Sequence, residues 1–229
     1  MKVIFDRLEP LTSSINTFWF KPNKPVDYQA GQFTEIKLPH NHVDDRGDKR
    51  WFTISASPTD HLISITTKFS EPSSSFKQQL IKLLPGTPLH LADPMGDFVL
   101  PKDKSIPLVF VAGGMGITPM HSMVKFLTDQ KLKRKIQLIY ATQTPTDQLW
   151  LNLFEAYCSK VTLLSRQEDG DKANLTADQI LQLTKPTDSS RIYLSGPEPM
   201  IENLVEQFDK LKIDSNRLVT DYFPGYLPI

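Results

Sequence analysis

Two glycine-bearing turns and one arginine-headed strand carry the residues best placed for chemistry. "AGGMGITP" (112–119) follows the apolar run "PLVFV" and opens an amphipathic stretch. Glycine lets a backbone approach a ligand closely. A helix starting there points free N–H groups and a partial positive charge at an anion, which suits a phosphate. "SGPEPM" (195–200) repeats the arrangement, following "RIYL" and opening a second helical stretch. Upstream, "RWFTIS" (50–55) sets Arg50, Phe52 and Ile54 on one face of a strand, and Trp51, Thr53 and Ser55 on the other. A guanidinium sharing a face with Phe and Ile needs an anion or a solvated tip, and its planar fork matches phosphate oxygens. Serines 73–75 stand at the head of the only helix foreseen in this half, where hydroxyls cap and N–H groups hold anions. One phosphate-bearing ligand between Arg50 and that helix accounts for both features. Taken singly, they read as a snorkelling arginine and an ordinary cap.

These residues are carried by two stretches of different grammar. Up to about residue 100, "INTFWFKP", "GQFTEIKLP", "RWFTIS", "LISITTKF", "PLHLADP" and "DFVLP" read as six strands. The helix "SSSFKQQLIKLL" (73–84) has Phe76, Leu80, Leu83 and Leu84 at helical spacing. This predicts a small all-β antiparallel six-stranded barrel over residues 1–102. From 103 to 229, strands "PLVFVAGG", "KIQLIYAT", "KVTLLS", "RIYLSG" and "RLVTDYF" alternate with the helices "TPMHSMVKFLTDQ", "DQLWLNLFEAYC", "LTADQILQL" and "PEPMIENLVEQFDKL". That alternation predicts an α/β Rossmann-like domain with a parallel five-stranded sheet and right-handed crossovers. The polar, proline-flanked "LPKDKSIP" (100–107) is the expected boundary.

Composition narrows the field. The 229 residues suffice for two small domains with their own cores. Lys plus Arg and Asp plus Glu number 26 each, so no basic field argues for nucleic acid. The single Cys158 excludes an internal disulfide, a four-cysteine zinc site and an iron–sulfur cluster held by this chain's cysteines alone. Its histidines, His40, His42, His61, His90 and His121, are scattered without metal-ligand spacing. The N-terminal residues lack the apolar core of an export signal, and no run approaches the roughly 20 apolar residues that span a bilayer. A cytoplasmic protein, or the soluble part of an assembly, is expected. "HNHVDDRGDKR" (40–50) reads as a charged loop, either solvated or docking a partner.

Taken in order, six stretches resemble the ferredoxin–NADP reductase family, a flavin-binding barrel followed by a nicotinamide-binding domain. "RWFTISASP" is similar to the family's R-x-Y-S/T-x-x-S strand and "SSSF" to its flavin-phosphate turn. "GTPLHLADPMGDFVL" is similar to G-x-x-x-x-x-x-x-P-x-G-x-F-x-L, and "AGGMGITPM" to G-G-x-G-I-T-P. "SGPEPM" is similar to C-G-P-x-x-M, and "TDYF" to the terminal E-x-F. The resemblance implies the following roles. Arg50 pairs with the flavin pyrophosphate, Phe52 lies against the isoalloxazine ring beside Trp51, and Thr53 meets the ring near its hydride-accepting nitrogen. Ser55 supports that strand. Thr67 and Lys68 contact the ribityl chain or pyrophosphate, and Ser74 and Ser75 receive phosphate. Gly114, Gly116 and Thr118 cradle the nicotinamide nucleotide's phosphates. Ser195, Gly196, Pro197 and Met200 border the nicotinamide. Phe223 or Tyr226, with Tyr222, covers a flavin face or the adenine. Four positions depart from the family pattern. Phe52 replaces tyrosine and loses its hydroxyl, and Ala56 stands where the strand motif ends in serine. Ser195 replaces the cysteine near the hydride path. Asp221 shortens the terminal acid.

The resemblance implies an FAD-dependent oxidoreductase, with FMN the lesser alternative. It would take hydride from NAD(P)H and pass electrons singly to an external acceptor such as ferredoxin, flavodoxin or a membrane-bound redox partner. Thr53, Ser195 and Asp221 would flank the transfer. Ser165 and Arg166 in "SRQ" resemble the pair that grips a 2′-phosphate, which points to NADPH. Two alternatives stay open: a flavin-holding subunit that does not oxidise NAD(P)H, and a binding module without flavin.

Overall fold

A computed structural model describes residues 1–223, without the side chains of Asp171, Lys172 and Phe223. The chain forms two compact units, Met1–Val99 and a second beginning at Leu100.

In the first unit, β1 (Lys2–Pro10), β2 (Ile15–Pro22), β5 (Ile63–Lys68) and β6 (Pro88–His90) form an antiparallel sheet in the order β5-β2-β1-β6. The strands β3 (Phe33–Lys37) and β4 (Lys49–Thr53) pair with each other. Backbone bonds complete the ring. Ser55 donates to Ser64 O at 2.8 Å, joining the end of β4 to β5. Phe33 and Met95 exchange bonds at 2.9 and 3.0 Å, and Ala92 donates to Glu35 O at 2.9 Å, joining β3 to the chain after β6. The six strands therefore close into the foreseen antiparallel barrel, which removes free sheet edges. Val3, Phe5, Phe18, Phe20, Ile36, Ile54, Ile63 and Ile65 fill it, and Phe76 and Leu80 of α1 (Ser75–Leu80) add to that core.

The strand inventory needs two corrections. The N-terminal residues, read above only for a missing export signal, are β1; Val3 and Phe5 alternate inward with period two. "DFVLP" is not a strand, although Phe98 is buried at 4% exposure. The ring is closed before this segment, through Leu91 and Met95. The helix expected over 73–84 is confined to Ser75–Leu80, because Ile81 and Leu84 are turned outward.

In the second unit, five parallel strands stand in the order β11-β10-β7-β8-β9. They are β7 (Leu108–Gly113), β8 (Ile136–Thr142), β9 (Lys160–Ser165), β10 (Arg191–Pro197) and β11 (Leu218–Phe223). The connecting helices are α2 (Ile117–Asp129), α3 (Leu151–Tyr157), the one-turn α4 (Arg166–Asp169), α5 (Ala177–Thr184) and α6 (Glu198–Lys210). α3 starts four residues later than "DQLWLNLFEAYC" suggested, because Trp150 takes a left-handed conformation (φ 53°) that helix interiors exclude. β7 lies centrally, with β8 following on one side and β10 on the other. The strand order therefore reverses between β7 and β10, where open α/β sheets take their ligands. Among the described residues no helix is long and apolar enough to cross a membrane.

Candidate functional site

The anion-holding residues of the first unit converge on one carboxylate. Arg50 is only 12% exposed. Its Nη1 donates to the carbonyls of Arg46, Gly47 and Lys49 at 2.6, 2.8 and 2.7 Å, and its Nη2 donates to Asp44 Oδ1 at 3.1 Å. Asp44 Oδ2 accepts the Ser75 backbone N–H at 2.9 Å, and Asp44 N–H donates to Ser75 Oγ at 3.0 Å. The Ser75 N–H, helped by Arg50, holds the Asp44 carboxyl below the ordinary carboxylate range. The guanidinium also lies 5.3 Å over the Phe76 ring, and Phe52 packs 5.8 Å from the same ring. This answers the oddity of the strand. Arg50, Phe52 and Ile54 share the inward face, with the cation resting on the aromatic floor where the barrel meets α1.

The other foreseen residues of this unit divide. Ser74 caps α1, its hydroxyl accepting from Lys77 N–H at 3.3 Å. Trp51 is exposed and stands edge-on to Phe33 at 5.4 Å. Thr53 is buried on the face opposite Arg50. Ser55 belongs to a buried hydroxyl chain that sequence reasoning missed. Thr17 Oγ1 meets Thr66 Oγ1 at 2.8 Å, and Ser55 Oγ meets Thr66 Oγ1 and Ser64 Oγ, each at 2.9 Å. It ties β2 and β5 to the chain just after β4, where the ring closes, and hydroxyls alternate here with apolar side chains. Thr67 is buried at the end of β5, on the face of Ile63 and Ile65, while the Lys68 carbonyl accepts the Lys77 ammonium at 2.6 Å.

In the second unit the two glycine turns lie side by side, at the ends of the neighbouring strands β7 and β10. A Cβ on Gly116 would sit 2.0 Å from the Ser195 carbonyl oxygen, so that glycine lets the two turns touch. Gly114 is left-handed (φ 51°) with nothing within 4 Å of a Cβ, which leaves open space beside its backbone. The Thr118 hydroxyl, foreseen as a phosphate contact, is buried and turned back to Met115 O at 2.9 Å. Ser195 and Asp221 are paired in register, and the Ser195 hydroxyl donates to Asp221 Oδ2 at 3.4 Å. Gly196 and Pro197 are buried, and Met200 packs partly against the sheet core. Phe223 ends β11 opposite Pro197, and Tyr226 lies outside the described residues. Ser165 and Arg166 stand apart, at the edge strand. The Ser165 hydroxyl caps α4 by accepting from Glu168 N–H, and exposed Arg166 donates to Asn174 Oδ1 at 2.7 Å.

Known proteins share this fold. Residues 110–206, from β7 into α6, match the Oxidoreductase NAD-binding domain family. Flavohemoprotein A of Dictyostelium discoideum is 25% identical over 96% of this chain and 59% of its own length. The flavohem-like FAD/NAD-binding domain of a nitric oxide dioxygenase from Vibrio cholerae O1 biovar El Tor superposes with TM-score 0.75 at 19% identity, over 98% of each chain. Ferredoxin–NADP⁺ reductase from Plasmodium falciparum superposes with TM-score 0.76 at 18% identity, over 97% of this chain and 95% of that one.

The chain has the two-unit fold of ferredoxin–NADP reductase.

The family matched by residues 110–206 is an NAD-binding domain of oxidoreductases. The chain spans about six-tenths of Flavohemoprotein A's length. The hydrogen bonds also reveal a residue that the sequence left unnoticed. Asp44 lies in the charged 40–50 run and is set against the start of α1, and no local spacing announces a contact across 31 residues.

Proposed function

We propose that this chain is an FAD-dependent NAD(P)H oxidoreductase, the first unit holding FAD and the second the nicotinamide nucleotide. The observation that carries the reading is the donor set of Arg50 and Ser75. A guanidinium and a helix N–H already hold an anion here, as a flavin diphosphate requires. The residues present therefore fit the group. Arg50, Ser74 and Ser75 would hold the diphosphate. Thr67 and Lys68 would line the chain leading from it. Phe52 would offer aromatic surface to the ring from the Arg50 face of β4, while Trp51 and Thr53, on the other face, would meet only its edge. The chemistry supplied by bound FAD is acceptance of hydride from a nicotinamide and release of electrons one at a time. FAD is preferred over FMN because the arginine strand with a serine-capped helix is the family's FAD arrangement.

On the second unit, the Gly114 and Gly196 backbones would receive the nucleotide, with Thr118 and Gly116 shaping that turn from behind. Ser195 and Asp221, with Pro197 and Met200, would border the nicotinamide and exclude water. Their hydroxyl–carboxylate pair holds a proton at Ser195 Oγ, so orientation of the nicotinamide is its role and no general base is invoked. One of Tyr222, Phe223 and Tyr226 is the proposed cover of a flavin face or the adenine; Tyr226 lies outside the described residues. NADPH is the proposed donor, resting on Arg166 and on the Ser165 hydroxyl, whose O–H can still donate while its oxygen caps α4. An external redox protein is the proposed acceptor, a reading supported by relatives named for haem and ferredoxin.

Titration of the apo-protein with FAD tests the cofactor assignment. One FAD bound per chain, more tightly than FMN, is expected; a chain that binds neither flavin refutes it.

A further inference from the structure

We infer that Asp44 is a built-in counter-anion that occupies the flavin-phosphate position of this barrel and must be displaced when FAD loads. The inference rests on the proposed FAD site and says how that site is regulated. The same carboxylate accepts from both groups assigned to the diphosphate, Arg50 Nη2 at 3.1 Å and the Ser75 N–H at 2.9 Å. A hydrogen donated to Asp44 is not available to a phosphate oxygen, so the two anions compete directly. Like charges brought to one place also repel, so co-occupancy is disfavoured.

The loop carrying Asp44 is built to deliver it. Arg46 N–H donates to Asp44 Oδ1 at 3.0 Å, and Gly47 N–H to Asp44 O at 2.9 Å. Gly47 takes φ 77°, which returns the chain so that the Arg46, Gly47 and Lys49 carbonyls meet Arg50 Nη1. A second feature shows that this loop arrangement is not fully satisfied. At its start, His40 Nε2 is buried with no hydrogen-bond partner among the described residues. Buried polar groups are seldom left so, and a displaced loop would release this nitrogen to water. Asp44 itself is 31% exposed, so water can reach the carboxylate that has to leave.

Flavin affinity in the apo-protein tests this without any turnover. The apo-protein, Asp44→Asn and Asp44→Ala are titrated with FAD and with riboflavin, which lacks phosphate, and binding is read by flavin fluorescence. Displacement predicts that both variants bind FAD more tightly, by roughly tenfold for one charge-assisted contact no longer lost. Riboflavin affinity should stay unchanged. A merely structural Asp44 would weaken FAD and riboflavin alike, and that outcome overturns the inference. Unchanged FAD affinity overturns it too, while leaving the FAD site standing. If no form binds FAD, the flavin reading fails and the inference with it. Limited trypsin digestion gives a second reading. FAD should speed cleavage after Arg46 in the wild-type chain, and protection there would contradict a displaced loop.

Discussion

Arg50 spends its guanidinium on three carbonyls and one carboxylate while lying on an aromatic ring. An alanine there removes a charge-assisted donor, worth about 1.5–3 kcal/mol when its partner is an anion. Arg50→Ala should therefore weaken FAD by roughly tenfold to a hundredfold, measured by titration of the apo-protein. Unchanged affinity would strip Arg50 of its role. Arg166 is the contrasting cation. It is exposed, it shares a turn with Glu168 and Asp169, and the oxygen of its neighbour Ser165 caps that turn. An exposed ion pair is worth about 1 kcal/mol at most. Arg166→Ala should raise the Kd for NADPH by roughly fivefold and leave that for NADH in place. Equal effects on both would remove the 2′-phosphate contact. Both cations could be nominated from the sequence, since a guanidinium beside aromatics or after a parallel strand asks for an anion. The competing acceptor Asp44 could not, because its contact depends on how the loop folds back on α1.

At the scale of the element, the two turns of the parallel sheet make a sharper prediction than either residue. Both Gly114 and Gly116 were assigned to a phosphate cradle, and the structure gives them different work. A side chain at Gly116 collides with the Ser195 carbonyl, which is backbone and cannot swing away. Gly116→Ala should cost about 3 kcal/mol or more in denaturant unfolding. Gly114→Ala meets open space and bears only the left-handed strain, about 1–2 kcal/mol. Similar losses in the two variants would refute the division. The alternation of strands and helices, the serine-capped α1 and the five parallel strands were legible from period and punctuation alone. β1 was not, because only Val3 and Phe5 mark its inward face and the outer half is exposed. "DFVLP" was misread because a buried Phe98 resembles a strand residue, while pairing is decided by neighbours far away in sequence. The hydroxyl chain through Ser55 was hidden for the same reason. Its members come from β2, from β5 and from the chain after β4, and only the closed ring brings them together.

At the scale of the whole molecule, a barrel unit with an anion-holding end is joined in one chain to a parallel-sheet unit with two touching turns. Each unit is intelligible alone; the proposed activity needs both. The chain spans about six-tenths of Flavohemoprotein A's length, so the route of electrons onward is a separate question from their arrival. The most direct test of the central claim follows the arrival. The FAD-loaded protein is mixed anaerobically with NADPH and, separately, with NADH, while the visible flavin absorbance is recorded. The account predicts that at least one nucleotide bleaches it, NADPH the more readily. A flavin that stays fully oxidised with both would contradict the account, even if FAD binding itself were tight.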